Sequence, residues 1–400
     1  KEQMNGEEWL TASPFFYATN QLVLDAKGML IHEVALDKNG SKSPLKFDYK
    51  NDELKITLDK TYQKNQDYTV YIKYTARPNE VKQEGSKAIS DAKGLYFINA
   101  QGKDPDKPTQ IWTQGETESS SAWFPTIDKS NQKTTQEIYM TVPDKYVTLS
   151  NGILKDSQKE SGNMRTDHWV MDKRHSTYLF FMGVGEYAIV KDKWRNIPVD
   201  YYIEKEYEPY AKQIYGNTPE MIEFFSKKLG YDYPWAKYAQ ISGRDYVSGA
   251  MENTTATLHG SDILQKPGQL IDENTWELAQ QRVQAADQAG DAIRATPFEL
   301  LTAQALLAFT MLPEGKRPHV LVIEVGVGGR LDATNVFPNE NVLASVICPI
   351  ARDHESLLGH GLAAISREKA GIIKENGLCV IADQAPPNAI DGPDPEIMNT

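Results

Sequence analysis

Residues 266–400 contain no tyrosine, although the chain has 20, all at or before Tyr246. Scaling 20 in 400 to those 135 residues gives about seven expected there. Lysine thins out at the same place: residues 1–265 carry 28 Lys and 5 Arg, residues 266–400 only 4 Lys and 6 Arg. A single residue bias rarely switches so abruptly, so the chain reads as two unlike polypeptides meeting near residue 265. Cysteine is nearly missing as well. Cys348 and Cys379 lie in apolar, strand-like runs, which excludes a disulfide framework and a cysteine metal site and predicts two buried free thiols. No apolar run reaches the roughly 18–20 residues that a spanning helix needs. Residues 1–8 are polar where a secretory signal would be apolar. The sequence therefore predicts no signal peptide, no transmembrane segment and no membrane partner; its start reads as internal, and its compartment stays open. The net charge of −12 divides into −4 before residue 266 (33 basic, 37 acidic) and −8 after it (10 basic, 18 acidic), which argues against nucleic acid.

What is present in residues 1–205 is alternation. Runs at 21–24, 54–58, 68–74, 137–142 and 178–182 have period two, with turns such as Asp37-Lys38-Asn39-Gly40 between them. This predicts a β-rich sandwich or saddle. Within it, Ile111-Trp112-Thr113-Gln114-Gly115-Glu116, followed by Ala122-Trp123-Phe124-Pro125, sets polar side chains beside a bulky apolar cluster.

Residues 206–265 change character. Thr218-Pro219-Glu220 predicts a capped helix start and Gly230 its end, with Met221, Phe224, Phe225 and Leu229 as the apolar stripe. A strand at 239–241 leads to Gly249-Ala250-Met251-Glu252-Asn253. That run resembles the GAMEN exopeptidase motif of the aminopeptidase N type of zinc metallopeptidase (gluzincins), the family that includes leukotriene A4 hydrolase. The resemblance implies that residues 206–265 open a thermolysin-like α/β catalytic domain behind the β domain of residues 1–205. It implies a glycine-alanine edge strand that pairs with substrate backbone, Glu252 binding the free α-amino group, Glu116 as a second carboxylate, and Gln114 lining the pocket. Gly249, Ala250, Met251 and Asn253 complete the substrate-binding set, and peptides with free N-termini are the implied partners. A cationic amine held by two carboxylates gains charge-assisted hydrogen bonds that a blocked N-terminus would not. The alternative for each glutamate is an ordinary surface carboxylate.

The family's zinc site is HExxH on a helix, with a further Glu ligand on the next helix. These 400 residues contain no HExxH; in His354-Glu355-Ser356-Leu357, Leu358 stands where the second histidine is needed. Zinc is thus implied by the family while its ligands, the general-base Glu and the transition-state tyrosine are expected to be missing. So are the family's opening strands before Lys1.

Residues 266–400 alternate helix and strand: helices at 275–289, 296–309 (Thr296-Pro297-Phe298-Glu299 being a capping box) and 363–374, and strands at 320–324, 343–347 and 378–381. This predicts a partial parallel α/β sheet. Gly326-Val327-Gly328-Gly329 is no dinucleotide fingerprint, since Leu331 occupies the third glycine position, and no GxxxxGK occurs. The stretches 296–303, Glu324-Val325-Gly326-Val327-Gly328-Gly329-Arg330-Leu331-Asp332-Ala333-Thr334-Asn335, Asp353-His354 and Glu368-Lys369-Ala370-Gly371-Ile372-Ile373-Lys374 resemble the central domain of folylpolyglutamate synthase and dihydrofolate synthase, relatives of the Mur ligases in one-carbon metabolism. The resemblance implies Mg and ATP, with Glu324 and His354 as magnesium ligands and Lys369 the lysine that many members carbamylate. The residue-level alternatives are a Glu324–Arg330 salt bridge, a loop role for His354, and pairing of Lys369 with Glu368 or Glu375. Asp332 and Asn335 read as loop-shaping. The family's phosphate loop, which precedes these motifs, and its closing C-terminal domain are expected to be missing, so folate and ATP are not expected to bind productively.

The chain thus reads as a multidomain chimera of a metalloaminopeptidase piece and an ATP-dependent folate ligase piece, with neither catalytic centre intact. The two other readings are a peptide N-terminus binding module using Glu252 and Glu116, and a ligase completed by segments supplied in trans. Exposed apolar surface is expected around the join.

Overall fold

The computed structural model describes residues 2–81, 91–266, 271–289 and 294–384. Its contacts divide the chain into two compact units, Lys1–Pro267 and Gly268–Thr400. The join predicted near residue 265 borders residues 267–270, which lie outside the described residues.

The first unit is built mostly of sheets. Strands Met4–Ala12, Tyr68–Ala76, Met29–Lys38 and Ser41–Pro44 lie side by side in that order, all antiparallel. Asn39 and Gly40, at φ 56° and 88°, make the tight turn between the last two. Gly40 donates its N–H to the Asp37 carboxylate at 2.8 Å. Two left-handed residues match the twist of a hairpin, which is why Asn-Gly suits this position. Thr19–Asp25, Glu53–Tyr62 and Lys46–Lys50 form a second sheet. Two more follow: Val147–Ser150, Met182–Gly185, Gln110–Thr113 and Leu95–Ile98 make one, and Lys133–Pro143, Met164–Ser176 and Ile153–Glu160 the other. The strand expected at 178–182 starts only at Met182, because Thr177–Leu179 forms a 3-10 turn.

A fifth, mixed sheet positions the candidate site. Its spatial order is Tyr187–Trp194, Ile197–Glu204, Tyr238–Gly243, Ala256–Gly260 and Ala250–Met251. The three inner strands are parallel and both outer ones antiparallel. Along Ile197–Glu204 side chains alternate between two cores: Tyr202 joins the large β core, while Val199, Tyr201 and Ile203 pack with Trp194, Ala211, Tyr215 and Ile222.

Helix Thr218–Leu229 corrects two expectations. The Thr218 hydroxyl does not cap it; it donates to the Tyr215 carbonyl at 2.6 Å and accepts from the Gln240 amide at 2.6 Å. The buried side is Thr218, Ile222 and Ser226, whereas Met221, Phe224, Phe225 and Leu229 are 55–73% exposed. The expected stripe therefore faces away from the sheet. Gly230 ends the helix at φ 64° as expected.

In the second unit, helices Glu273–Gln288 and Pro297–Met311 pack as a pair, with Ala279 and Ala308 fully buried. Both hydrogen bonds of the Thr296/Glu299 capping box are made. The parallel sheet is reduced to Ser345–Ile347 beside Cys379–Ile381. No strand forms at 320–324, and Val322 there is 99% exposed. An apolar run with no neighbouring strand to hydrogen-bond cannot become a sheet member. Helix Leu362–Ala370 is shorter than the expected 363–374. Cys348 is exposed and Cys379 half-buried, so the expected buried thiols are not found, because so small a sheet covers little.

Two tests follow from burial. An environment-sensitive dye should bind the native chain, and the double substitution F224K/F225K should lower the signal without lowering the melting temperature. Burial pushes His175 down to about 4, so between about pH 6.5 and 4 the unfolded chain takes up a proton that the folded one refuses. Stability contributed by neutral His175 is lost as pH falls through that window, and H175F should flatten the pH dependence of thermal melting there.

Candidate functional site

The motif Gly249-Ala250-Met251-Glu252-Asn253 begins as the outermost strand of the mixed sheet. Ala250 and Met251 pair with His259 and Leu258 on one side only, and the Gly260 N–H reaches the Gly249 carbonyl at 2.9 Å. Gly249 and Ala250 are exposed, and a Cβ placed on Gly249 would meet no atom within 4 Å. Among the described residues no strand pairs with the other side of this strand, and such an edge is a template for an extended peptide.

The segment ahead of the motif is anchored by charge. Arg244 grips Glu204 through two bonds of 2.7 Å, its backbone N–H donates to the Gln110 amide oxygen at 2.9 Å, and its carbonyl accepts from the Trp112 indole at 3.2 Å. Glu204 is almost fully buried, and this partnership holds Arg244 above its ordinary range. Trp112 stacks on Tyr96 at 4.1 Å and meets Tyr246 edge-on at 5.2 Å.

Gln114 is buried. Its amide oxygen accepts from the Tyr246 hydroxyl at 2.5 Å and its amide nitrogen donates to the Met251 sulfur at 3.3 Å. It therefore ties the 110–116 segment to the motif. Gly115 is required by packing, since a Cβ would lie 2.1 Å from the Tyr178 carbonyl.

Glu116 is half-buried and Glu252 exposed. Both act on the same two phenols: Tyr178 is pushed up by burial and then by Glu252 and Glu116, and Tyr246 by burial, Glu116, Tyr96 and Glu252. Among the described residues neither carboxylate has a hydrogen bond or ion pair. Both carboxylates thus act on Tyr178 and Tyr246, and Glu252 directly follows the edge strand Ala250–Met251, a setting that favours a cation with N–H groups to donate. Asn253 is buried, and among the described residues neither amide atom has a hydrogen-bond partner.

Tyr178, Tyr246 and Arg244 were not singled out from the sequence. The last two stand shortly before the motif, the one local signal available for them. Asn151 had none: its amide donates to the Thr254 carbonyl at 2.6 Å across 103 residues.

In the second unit the three residues expected at magnesium lie in three different segments. Glu324 is exposed in irregular chain rather than ending a buried strand, which corrects the expectation. His354, 56% exposed at the side chain, precedes the short helix Glu355–Leu358 at φ 52°. Lys369 is half-buried on helix Leu362–Ala370. Arg330 pairs with Glu368 at 2.9 Å rather than with Glu324. Among the described residues no three His, Cys, Asp or Glu side chains form a group that could hold a metal ion. Asp332 and Asn335 do shape the loop: Asp332 accepts from the Val327 and Thr334 N–H groups at 2.8 and 2.9 Å, and Asn335 reaches the Gly371 carbonyl at 3.1 Å. Gly371 packs so closely that a Cβ would lie 2.3 Å from that of Arg330.

Comparison with known proteins agrees with two origins. Residues 2–179 match the family model of the Peptidase M1 N-terminal domain. Over a partial region the chain is also similar to the probable dihydrofolate synthetase of Schizosaccharomyces pombe, 44% identical over 124 residues, which are 31% of this chain and 28% of that protein. The dihydrofolate synthetase of Saccharomyces cerevisiae is 50% identical over 84 residues, covering 21% of this chain and 19% of the yeast protein. The dihydrofolate synthase/folylpolyglutamate synthase of Mycobacterium tuberculosis is 47% identical over 94 residues, 24% and 18% of the two chains. The chain thus spans less than a third of the length of these curated relatives.

Replacing Arg244 by Met should leave Glu204 buried and unpaired and cost about 3 kcal/mol in denaturant unfolding; the double variant R244M/E204Q should recover part of that loss.

Proposed function

We propose that this chain, part similar to the Peptidase M1 N-terminal domain and part to dihydrofolate synthases, is a composite of two incomplete enzyme pieces that retains one competence: reading the free N-terminus of a peptide. In this reading residues 1–205 are an aminopeptidase-like β domain, residues 206–265 the opening of its catalytic domain, and residues 266–400 a piece of the ligase central domain. The observation that carries it is that, among the described residues, the Glu116 and Glu252 carboxylates have no hydrogen bond or ion pair and the strand at Ala250–Met251 is paired on one side only. The edge takes the peptide backbone as an added strand, which fixes its direction and register. The carboxylates take the ammonium at its end. An acetylated terminus has no charge for them and leaves them unpaired, so discrimination comes from both attraction and penalty.

Hydrolysis is not part of the proposal. Within these 400 residues no HExxH supplies a zinc-activated water, and no GxxxxGK cradles ATP phosphates for a ligase step.

Titration calorimetry with a free-amine tripeptide and its acetylated twin decides between the readings. The free amine should bind, the acetylated form should not, and E252Q should weaken binding about tenfold, the loss of one charge-assisted bond. Equal or absent heats would remove the binding reading. With added zinc, an aminoacyl fluorogenic substrate should stay at background, and clear turnover would remove the composite one.

A further inference from the structure

The turn that follows Glu252 is held by a side chain that neither the motif nor the peptide contacts require. Lys237, just ahead of strand Tyr238–Gly243, is 5% exposed. Its Nζ donates to the Ser150 carbonyl at 2.8 Å and to the Thr255 hydroxyl at 3.0 Å, and it lies 5.1 Å from the centroid of the Trp169 ring. The same Thr255 hydroxyl accepts the Gly152 N–H at 2.8 Å. Thr255 sits at φ 66°, left-handed backbone that is costly for a β-branched residue and persists only where the surroundings impose it. The turn is closed by the Ala256 N–H on the Asn253 carbonyl at 2.9 Å, and joined to the sheet by the Ala239 N–H on the Thr255 carbonyl at 2.9 Å.

We propose that Lys237 is a positioning residue for the recognition edge: by holding Thr255 in its left-handed conformation it fixes the turn at 253–255, and with it the placement of Glu252 at the end of the edge strand. The recognition part of this inference rests on the peptide-binding reading above. The chemistry suits the task. A buried amine is a multiple N–H donor on a long stem, able to join two segments, 150–152 and 253–255, that lie about a hundred residues apart in the chain. Burial drives the amine down to about 7 against the opposing pull of Asp200, and its N–H groups are spent on the Ser150 carbonyl and the Thr255 hydroxyl. Its replacement by an apolar side chain of similar length should be tolerated by the fold.

The test uses the full chain with K237M, and with T255V, which keeps the side-chain shape while removing the acceptor of both the Lys237 amine and the Gly152 N–H. Hydrogen exchange at the Ala239 and Ala256 amides should rise about tenfold in both, with Tyr68–Ala76 unchanged. The free-amine tripeptide should bind about tenfold more weakly to K237M, whose melting temperature is held or raised. Unchanged exchange at Ala239 and Ala256 overturns the proposal whatever the peptide does. Faster exchange with undiminished affinity overturns the link to recognition. Faster exchange in a chain whose wild type does not distinguish free from acetylated peptide supports the hold on the turn and removes the peptide-binding reading instead.

Discussion

The strand Ile197–Glu204 is covered on both faces, and the candidate site depends on that double burial. Tyr202 is sealed in the β core while Val199, Tyr201 and Ile203 are sealed under the short helices. Each such side chain contributes about 1.5–3 kcal/mol, so the strand cannot shift by one residue without moving both sets to the wrong side. A strand fixed in this way fixes its parallel neighbours, and through them the edge at Gly249 and Ala250. It also delivers Glu204 to the end of the strand, where only a paired charge is tolerated in so dry a place. Arg244 supplies the pair and thereby fixes the loop that enters the motif.

Where a second covering layer is absent, apolar residues stay in water. The outward face of helix Thr218–Leu229 shows this in the first unit, with Phe224 and Phe225 more than half exposed. The second unit shows it again at Val320 and Val322, and on its two-stranded sheet, where Val346, Val380 and Ile381 remain 50–60% exposed. An amphipathic helix or a sheet needs a partner layer to bury its apolar side.

The carboxylate pair illustrates a different economy. Glu116 and Glu252 come from segments 136 residues apart and are brought near the same two tyrosines by Gln114, which bonds to Tyr246 and Met251 at once. The buried amide does not itself offer a free polar group; it ties the segment carrying Glu116 to the residue before Glu252. Tyr178 and Tyr246 in turn feel both charges, which is how the neighbourhood shows itself although the carboxylates share no hydrogen bond.

Features governed by neighbours in sequence are legible in the chain itself: the Asn39-Gly40 turn, the Gly230 stop, the Thr296/Glu299 capping box and the change of composition near residue 265. Glu252 stands out through the Gly249–Asn253 motif and Glu116 only through the looser 111–116 segment, while their shared action on Tyr178 and Tyr246 is not legible in the chain. The outward turn of Met221, Phe224, Phe225 and Leu229, the loss of the strand at 320–324 and the exposure of Cys348 are not, because hydrophobic periodicity says that a face wants cover and not whether cover is present. Sequence alone determined the local conformations and the chemistry available, since backbone preference and side-chain type act over a few residues. Only the tertiary structure decided that Arg244 would meet Glu204 and Lys237 would meet Thr255, since such pairings arise when strands far apart in the chain are packed into one sheet.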